Sequence, residues 1–135
     1  LAHPVLDLLW RSGLRVEDAG RLAVYFDIFG EPEPIGGLSP IRIGRKTMAA
    51  QAVPDRLPDS FNNLFARQPD DFRQEATKTQ MLALEGCKLI ERRDVEVGAI
   101  GGGSRRFVYN RVCLPGTLGG RRVVVNATLP VAALG

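Results

Sequence analysis

Two cysteines and one histidine are the side chains of this sequence with the clearest capacity for chemistry. A cysteine is nucleophilic as its thiolate, which a nearby base must favour. The histidine, His3, is far from Cys87 and Cys113 in the chain, and no second residue of a suitable type lies beside it for a metal or haem site. We therefore expect no catalytic thiol, no metal site and no haem ligand among these three residues.

Three polar residues in predicted strands form a more specific candidate site. Glu91 and Arg93 fall on the same side of one strand as Leu89, Val95 and Val97, and Asn110 interrupts the apolar face of the next strand. In a matching register the three would share one face, where each needs a partner because a buried unpaired polar group costs roughly 1 to 3 kcal/mol. They would then orient a ligand in a pocket. A register displaced by one residue would turn the set to solvent, and both interpretations are open.

Two other patterns are better explained by turns than by catalysis or phosphate binding. Glu31 and Glu33 flank Pro32, and nothing nearby would desolvate or pair their carboxylates, so we expect a solvated turn. The glycine-rich run 98–104 precedes a strand, whereas a phosphate-binding loop opens a helix. We interpret it as a hairpin turn.

The candidate site depends on a three-stranded antiparallel meander predicted in the last third of the chain. Segments 88–97, 105–114 and 121–131 are rich in β-branched and aromatic residues, and glycine-rich turns separate them. We take Leu114 to pair near Arg121. The side chains that then alternate onto one face are apolar, and we expect them to be buried: Val108, Val112, Leu114, Val123, Val125 and Ala127.

The preceding part of the chain predicts a strand pair followed by helices. Residues 21–29 are apolar on both faces, as in a central strand, and 41–43 could pair with them. Short helices are expected at 48–53 and 60–66, the second capped by Ser60. The longest helix is capped by Asp70 or Asp71, runs to Leu84 and stops at Gly86.

A further short helix is predicted at residues 3–11. Its apolar stripe includes Leu6 and Leu9 at helical spacing. An isolated helix of this length would not be stable, so the stripe must cover the sheet or pair with the same helix of a second subunit.

Length and composition fit one globular domain and argue against a nucleic-acid partner and a membrane span. The chain has 135 residues, 44% hydrophobic and 24% charged. Its net charge of +3 is spread over arginine pairs in different strands, so we expect no nucleic-acid partner. No apolar run is long enough for a membrane span, and no signal peptide pattern occurs. We expect a cytoplasmic location with Cys87 and Cys113 reduced and buried, a disulfide being the alternative.

The order of these elements resembles that of bacterial PAS sensory domains over about residues 22–129. Residues 109–125, YNRVCLPGTLGGRRVVV, are similar to the closing hairpin of that family, where a strand ending in Leu-Pro precedes a short loop, a glycine and a hydrophobic strand. The resemblance implies an α+β fold, an antiparallel sheet of about five strands with helices on one face. We divide the chain into an N-terminal helix and connection, 1–20, and a single PAS-like domain, 21–135.

The resemblance also implies a pocket and a homodimer. PAS-like domains bind small molecules between sheet and helices and commonly dimerise through the helix before the first strand, here residues 3–11. The flavin-attachment segment and the helical haem histidine of some members are absent, so we expect no resident cofactor. The chain begins at Leu1, and an output domain or partner protein is expected outside it. The candidate pocket residues, including the polar ones above, are Phe26, Ile28, Phe65, Met81, Arg93, Tyr109, Asn110 and Val125.

Two functions follow from these observations. The preferred one is a non-enzymatic sensory, signalling or protein-interaction module, in which a small organic ligand shifts the domain between two packings by binding them unequally. The alternative resembles the nuclear-transport-factor-like cone fold, whose isomerases and dehydratases use acid–base carboxylates; Asp27, Glu91 and Tyr109 would serve here. That fold has more helix before its first strand than this sequence supplies.

Overall fold

The computed structural model describes residues 14–33, 37–98 and 102–130. Within these ranges, strand β1 (Leu14–Arg15) and two 3₁₀-helices (Val16–Asp18 and Gly20–Tyr25) come first, followed by β2 (Phe26–Pro32) and β3 (Leu38–Ile43). Helices α1 (Met48–Ala52), α2 (Pro58–Ala66) and α3 (Asp70–Leu84) come next, and β4 (Leu89–Gly98), β5 (Ser104–Leu118) and β6 (Arg121–Pro130) close the fold. The helix predicted at 3–11 lies outside the described residues.

Five antiparallel strands form the sheet, in the spatial order β4, β5, β6, β2, β3. The meander β4–β5–β6 and the hairpin β2–β3 are joined by antiparallel pairing of β2 with β6. Strand β1 adds a short parallel pairing to the far end of β5, at Gly116 and Thr117. The predicted α+β class, the meander and the amino-terminal hairpin are confirmed.

The two faces of the sheet are covered differently. The α-helices pack on one face, in a cluster built around Phe29, Leu38, Ala83, Cys113 and Val124. The 3₁₀-helices cover the other face, where Val16, Ala19, Leu22, Ala23 and Tyr25 contact apolar residues of β2, β5 and β6. The α-helices therefore lie on one face, as predicted, and residues before position 20 already contact the sheet.

The first long strand begins later than predicted. Residues 21–25, the first part of the strand predicted from 21 to 29, lie in the 3₁₀-helix Gly20–Tyr25, and extended structure starts at Phe26. The carbonyl of Val24 accepts a 2.9 Å hydrogen bond from the backbone N–H of Lys46, so it is not part of a strand ladder. A short apolar run has no periodicity that separates a strand from a helical segment packed on a core.

The closing hairpin turns later than predicted but keeps the predicted faces. Residues 115–118 continue β5, and Gly119 and Gly120, with φ of 57° and 78°, form the turn. Leu114 consequently pairs with Val125 rather than near Arg121. The displacement is an even number of residues, so side chains stay on the same faces. The members of the predicted apolar face that are buried together are Val112, Leu114, Val123, Val125 and Ala127.

The register in which Glu91, Arg93 and Asn110 would share one face is not the one that β4 and β5 adopt. Arg93 pairs with Tyr109, and Arg92 pairs with Asn110. Because side chains alternate, Asn110 lies on the opposite face from Arg93 and Glu91, and it is exposed. The alternative left open by the sequence therefore holds for Asn110, whereas Glu91 and Arg93 lie on the face covered by the α-helices.

The helices confirm most of the helical predictions. Helix α3 spans Asp70–Leu84, and Gly86 after it has a φ of 113°. Asp70 and Asp71 lie in its first turn instead of capping it, because the helix already begins at Asp70, directly after Pro69. Helix α2 begins at Pro58 rather than at Ser60, because proline suits the first helical turn. The Ser60 hydroxyl donates to Asp55 at 2.7 Å instead of capping the helix. Even α3, the longest helix in the part of the chain described, lacks the length and apolar character needed to cross a membrane.

Candidate functional site

A cavity of about 130 Å³ lies between the sheet and the three α-helices. Six aromatic residues contribute to its wall: Phe29, Phe61, Phe65, Phe72, Phe107 and Tyr109. Phe61 bridges sheet and helix in this wall, because its ring centroid lies 5.6 Å from that of Phe29 and 6.1 Å from that of Phe65. Cavities of roughly 150 Å³ can hold a benzene ring, so this space suits a compact organic molecule.

All charged side chains among the described lining residues come from the sheet. They are Asp27 of β2, Arg93 of β4 and Arg111 of β5. The α-helices contribute apolar residues and the amide of Gln80, and the connection between α2 and α3 contributes the amide of Gln68. The cavity thus has one face with charges and hydrogen-bonding groups and an opposite face that is mainly apolar.

Asp27 is the most deeply buried charged residue of this wall, with 1% of its surface exposed. Its Oδ1 accepts hydrogen bonds from the Thr47 hydroxyl at 2.8 Å and from the Gly44 N–H at 3.2 Å. Burial raises the pKa of Asp27 from 3.8 to about 7, although these two bonds and the charge of Arg111 act in the opposite direction. Asp27 therefore exchanges a proton near neutral pH.

The connection between β3 and α1 fixes the two donors to Asp27. A Cβ at Gly44 would lie 2.6 Å from the carbonyl oxygen of Phe26 and 2.7 Å from that of Val24, so only glycine fits this close approach. The Thr47 hydroxyl also caps α1, accepting from the N–H of Ala50 at 3.3 Å.

Arg111 is the centre of a buried polar network. Its side chain is 6% exposed, and its Nη1 lies 3.3 Å from Glu91 Oε1. Its Nε donates to Asn126 Oδ1 at 2.8 Å, and its Nη2 lies 3.8 Å from Cys113 Sγ. Asn126 is the cross-strand partner of Asp27, so the network extends from β4 to β2. Arg111 is well supplied with partners by the protein itself.

Arg93 has fewer partners than Arg111. Its side chain is 16% exposed, and its Nη1 lies 3.9 Å from the same Oε1 of Glu91 that Arg111 contacts. Its Nε is buried and has no hydrogen-bond partner among the described residues. Tyr109 lies directly across from it on β5. Burial raises the pKa of Tyr109, with Arg111 and Arg93 opposing the shift, so its hydroxyl is a neutral donor at physiological pH.

The cavity brings together three of the eight predicted pocket residues, Phe65, Arg93 and Tyr109. Phe26, Ile28 and Val125 are buried in the cluster on the opposite face of the sheet. Met81 packs against the helix-side cluster and is not among the lining residues, and Asn110 is exposed. The strand residues were assigned to the wrong face of the sheet, because tertiary packing decides which face of each strand meets the helices.

Several polar residues of the cavity wall are missing from the predicted pocket residues. Arg111, Asn126 and Thr128 were not predicted, although an arginine between Tyr109 and Cys113 in a strand with many apolar residues is an available signal. Asp27 was named only for the enzyme alternative. Of that set, Asp27 and Tyr109 line the cavity, whereas Glu91 contacts the two arginines.

The cysteines differ in environment, and both are free. Cys113 is buried, as predicted, and burial raises the pKa of its thiol despite the proximity of Arg111. Cys87 is exposed, contrary to prediction, because it lies between the end of α3 and β4 rather than within the sheet. Within the described ranges, no three His, Cys, Asp or Glu side chains are grouped as metal ligands would be.

Comparison with known proteins gives no further assignment: no family model, no curated protein and no solved structure matches the chain. The resemblance to PAS domains stays a prediction based on the order of elements and the closing hairpin.

Proposed function

We propose that this protein is a PAS-like, non-enzymatic sensory or interaction module that binds a small organic ligand between its helices and its sheet. The observation that carries the proposal is the cavity with aromatic walls, into which a few polar groups of the sheet converge. Concave apolar surface with a small number of placed polar groups is typical of small-molecule sites. The ligand would regulate an attached output domain or an associated partner protein.

Strand β5 supports a route from the cavity to the N-terminal segment. Phe107, Tyr109 and Arg111 of this strand line the cavity, and its far end pairs with β1 at Gly116 and Thr117. A ligand that holds α2 and α3 against the sheet would bias β5, and through it the segment leading to residues 3–11. Such a ligand regulates only to the extent that it binds the two packings unequally.

The first test is native mass spectrometry of the purified protein, compared with its denatured mass. A retained small molecule is expected, together with a dimer mass that the double substitution of Leu6 and Leu9 by Glu converts to a monomer mass. Ala76→Leu should reduce retention because residue 76 lines the cavity, whereas Gln74→Leu, at an exposed position of the same helix, should not. Equal retention in both helix variants would contradict binding in this cavity.

A cytoplasmic location is part of the proposal. Both cysteines are free, and Cys87 is exposed where an oxidising compartment would favour its pairing. Alkylation of the protein inside intact cells, followed by mass measurement, should find Cys87 reduced.

One observation favours the enzyme alternative. Asp27, with a pKa of about 7, and Tyr109 line the same cavity, and a carboxylate that titrates near neutral pH suits a general base. The experiment is exchange of the α-protons of small ketones with deuterated water, followed by NMR. Catalysed exchange that is lost in a folded Asp27→Asn variant would favour the enzyme, and no exchange above the buffer rate would favour the binding module.

A further inference from the structure

The charges around the cavity do not balance when Asp27 is protonated. Arg93 and Arg111 both contact Oε1 of Glu91, at 3.9 Å and 3.3 Å, so one carboxylate serves two guanidinium groups. The lining residues contributed by the helices carry no charge in the part of the chain described. The cavity wall then has an excess of about one positive charge, and a buried charge without a counterion is costly.

The geometry locates this excess at Arg93. Arg111 has Glu91, Asn126 and Cys113 around its guanidinium group, at 3.3, 2.8 and 3.8 Å. The Nε–H of Arg93, by contrast, is buried and has no acceptor within the ranges that the structure describes. A buried donor without an acceptor loses its hydration without compensation. An acceptor supplied from the cavity would remove that loss.

The surroundings of Arg93 define the rest of the ligand. Val95 and Phe107 line the same face of the sheet, and Phe65, Phe72 and Ala76 line the cavity from the helices. These groups offer contact surface and no acceptor. The ligand must therefore combine an anionic head with a compact apolar body, on the order of a single substituted ring for this volume.

We infer that the cavity takes a small organic monocarboxylate, whose carboxylate accepts from the Arg93 Nε–H and the Tyr109 hydroxyl and whose apolar body contacts Phe65, Phe72 and Phe107. This inference rests on the proposed function and specifies its ligand class. A carboxylate is preferred to a neutral acceptor because hydrogen bonds to ionised groups are about twice as strong as neutral ones.

The test uses matched pairs of acid and alcohol on the full chain. Titration calorimetry with benzoate and benzyl alcohol, and with hexanoate and hexanol, compares ligands that differ mainly in the charged head. The acids are expected to bind at least about tenfold more tightly than the alcohols near pH 6. Arg93→Met should remove this preference while leaving alcohol binding, since it keeps an apolar side chain of similar length.

Arg92→Met is the matched control, because Arg92 is the neighbouring residue, exposed, with its side chain on the opposite face. It should retain the preference, and circular dichroism should show both variants folded. Equal binding of acids and alcohols by the wild type, or an unchanged preference in Arg93→Met, would overturn the carboxylate inference and leave the binding module standing. Binding of neither class, with no retained compound in native mass spectra, would overturn both.

Discussion

The hydroxyl of Thr47 donates a 2.8 Å hydrogen bond to Oδ1 of Asp27, and the Gly44 N–H donates to that same oxygen at 3.2 Å. Since both donors use one oxygen, Asp27 can carry a proton on Oδ2 without losing either bond. This arrangement holds a carboxyl in the cavity wall that remains hydrogen-bonded in both protonation states.

The first prediction concerns the pH dependence of stability. The pKa of Asp27 is about 7 in the folded chain, against an ordinary value of 3.8. The stability contributed by the protonated form is complete below about pH 4 and is lost as pH rises toward 7, by up to roughly 1.4 kcal/mol per unit. Asp27→Asn should abolish this loss, because an amide resembles the protonated acid.

Urea denaturation of the wild type and Asp27→Asn between about pH 4 and 8 measures this effect. The variant should gain relative stability as pH rises through that window, while exposed Asp59→Asn should follow the wild type. A difference between wild type and Asp27→Asn that stays constant with pH would refute the assignment.

The second prediction concerns Gly44. A methyl group there would lie within 2.7 Å of two backbone carbonyl oxygens, those of Phe26 and Val24, and backbone atoms cannot move away cheaply. Gly44→Ala should therefore lower the free energy of unfolding by about 1 to 3 kcal/mol. Gly30→Ala is the control, because its nearest neighbour is the end of the Ile41 side chain at 3.1 Å. Thermal melts in which the two variants lose equal stability would count against this explanation.

The elements that the sequence predicted well are those with local signals. Helix α3 has acidic residues in its first turn and Gly86 beyond its end, and the closing hairpin has consecutive β-branched residues beside a Gly-Gly turn. The 3₁₀ segment before Phe26 was missed, because its packing against the sheet is a tertiary effect that an apolar run does not encode.

The register of the β4–β5 hairpin decided how much of the site could be predicted. Charged residues occur on both faces of β4, Glu91 and Arg93 on one and Arg92 and Asp94 on the other, so alternation alone does not identify the buried face. Arg93 and Tyr109 were identified as pocket residues. Assigning the wrong face of β5 to the pocket added Asn110 and omitted Arg111. The burial of Arg111 can be explained only once the folded sheet brings its partners Glu91 and Asn126 next to it.

The third prediction concerns Glu91. Its removal leaves the guanidinium group of Arg111, 6% exposed, without its carboxylate. Since Glu91 itself is 30% exposed, we expect Glu91→Ala to cost about 1 to 3 kcal/mol, less than breaking a fully buried pair. Glu96→Ala, at an exposed position of the same strand, should cost little. In a double-mutant cycle, Arg111→Met should recover part of the loss, and strict additivity in denaturation experiments would show that the pair does not interact.

The fourth prediction concerns thiol reactivity. Cys87 is exposed, whereas Cys113 is buried and burial raises the pKa of its thiol. A chromogenic disulfide reagent should modify one thiol rapidly in the native protein and the second only after denaturant is added. Cys87→Ser should abolish the rapid phase. Rapid reaction in that variant would mean that the β5 interior opens readily.

The last prediction couples ligand affinity to the protonation of Asp27. The groups that face Asp27 are Thr47 and Gly44 from the connection before α1, Arg111 from β5 and its cross-strand partner Asn126 from β6. When Asp27 ionises, its charge offsets the positive excess of Arg93 and Arg111, so a bound carboxylate loses part of its attraction. A benzoate carboxyl is itself ionised throughout this range.

Benzoate affinity should therefore fall several-fold between about pH 6 and 8, while that of benzyl alcohol stays constant. By linkage, bound benzoate must raise the pKa of Asp27 further. Calorimetric titrations of the wild type and Asp27→Asn at both pH values measure this coupling, and the variant should bind benzoate equally at each. A benzoate affinity that rises with pH, or that falls equally in Asp27→Asn, would mean that the ionisation of Asp27 does not weaken benzoate binding. A pH-independent wild type would lead to the same conclusion.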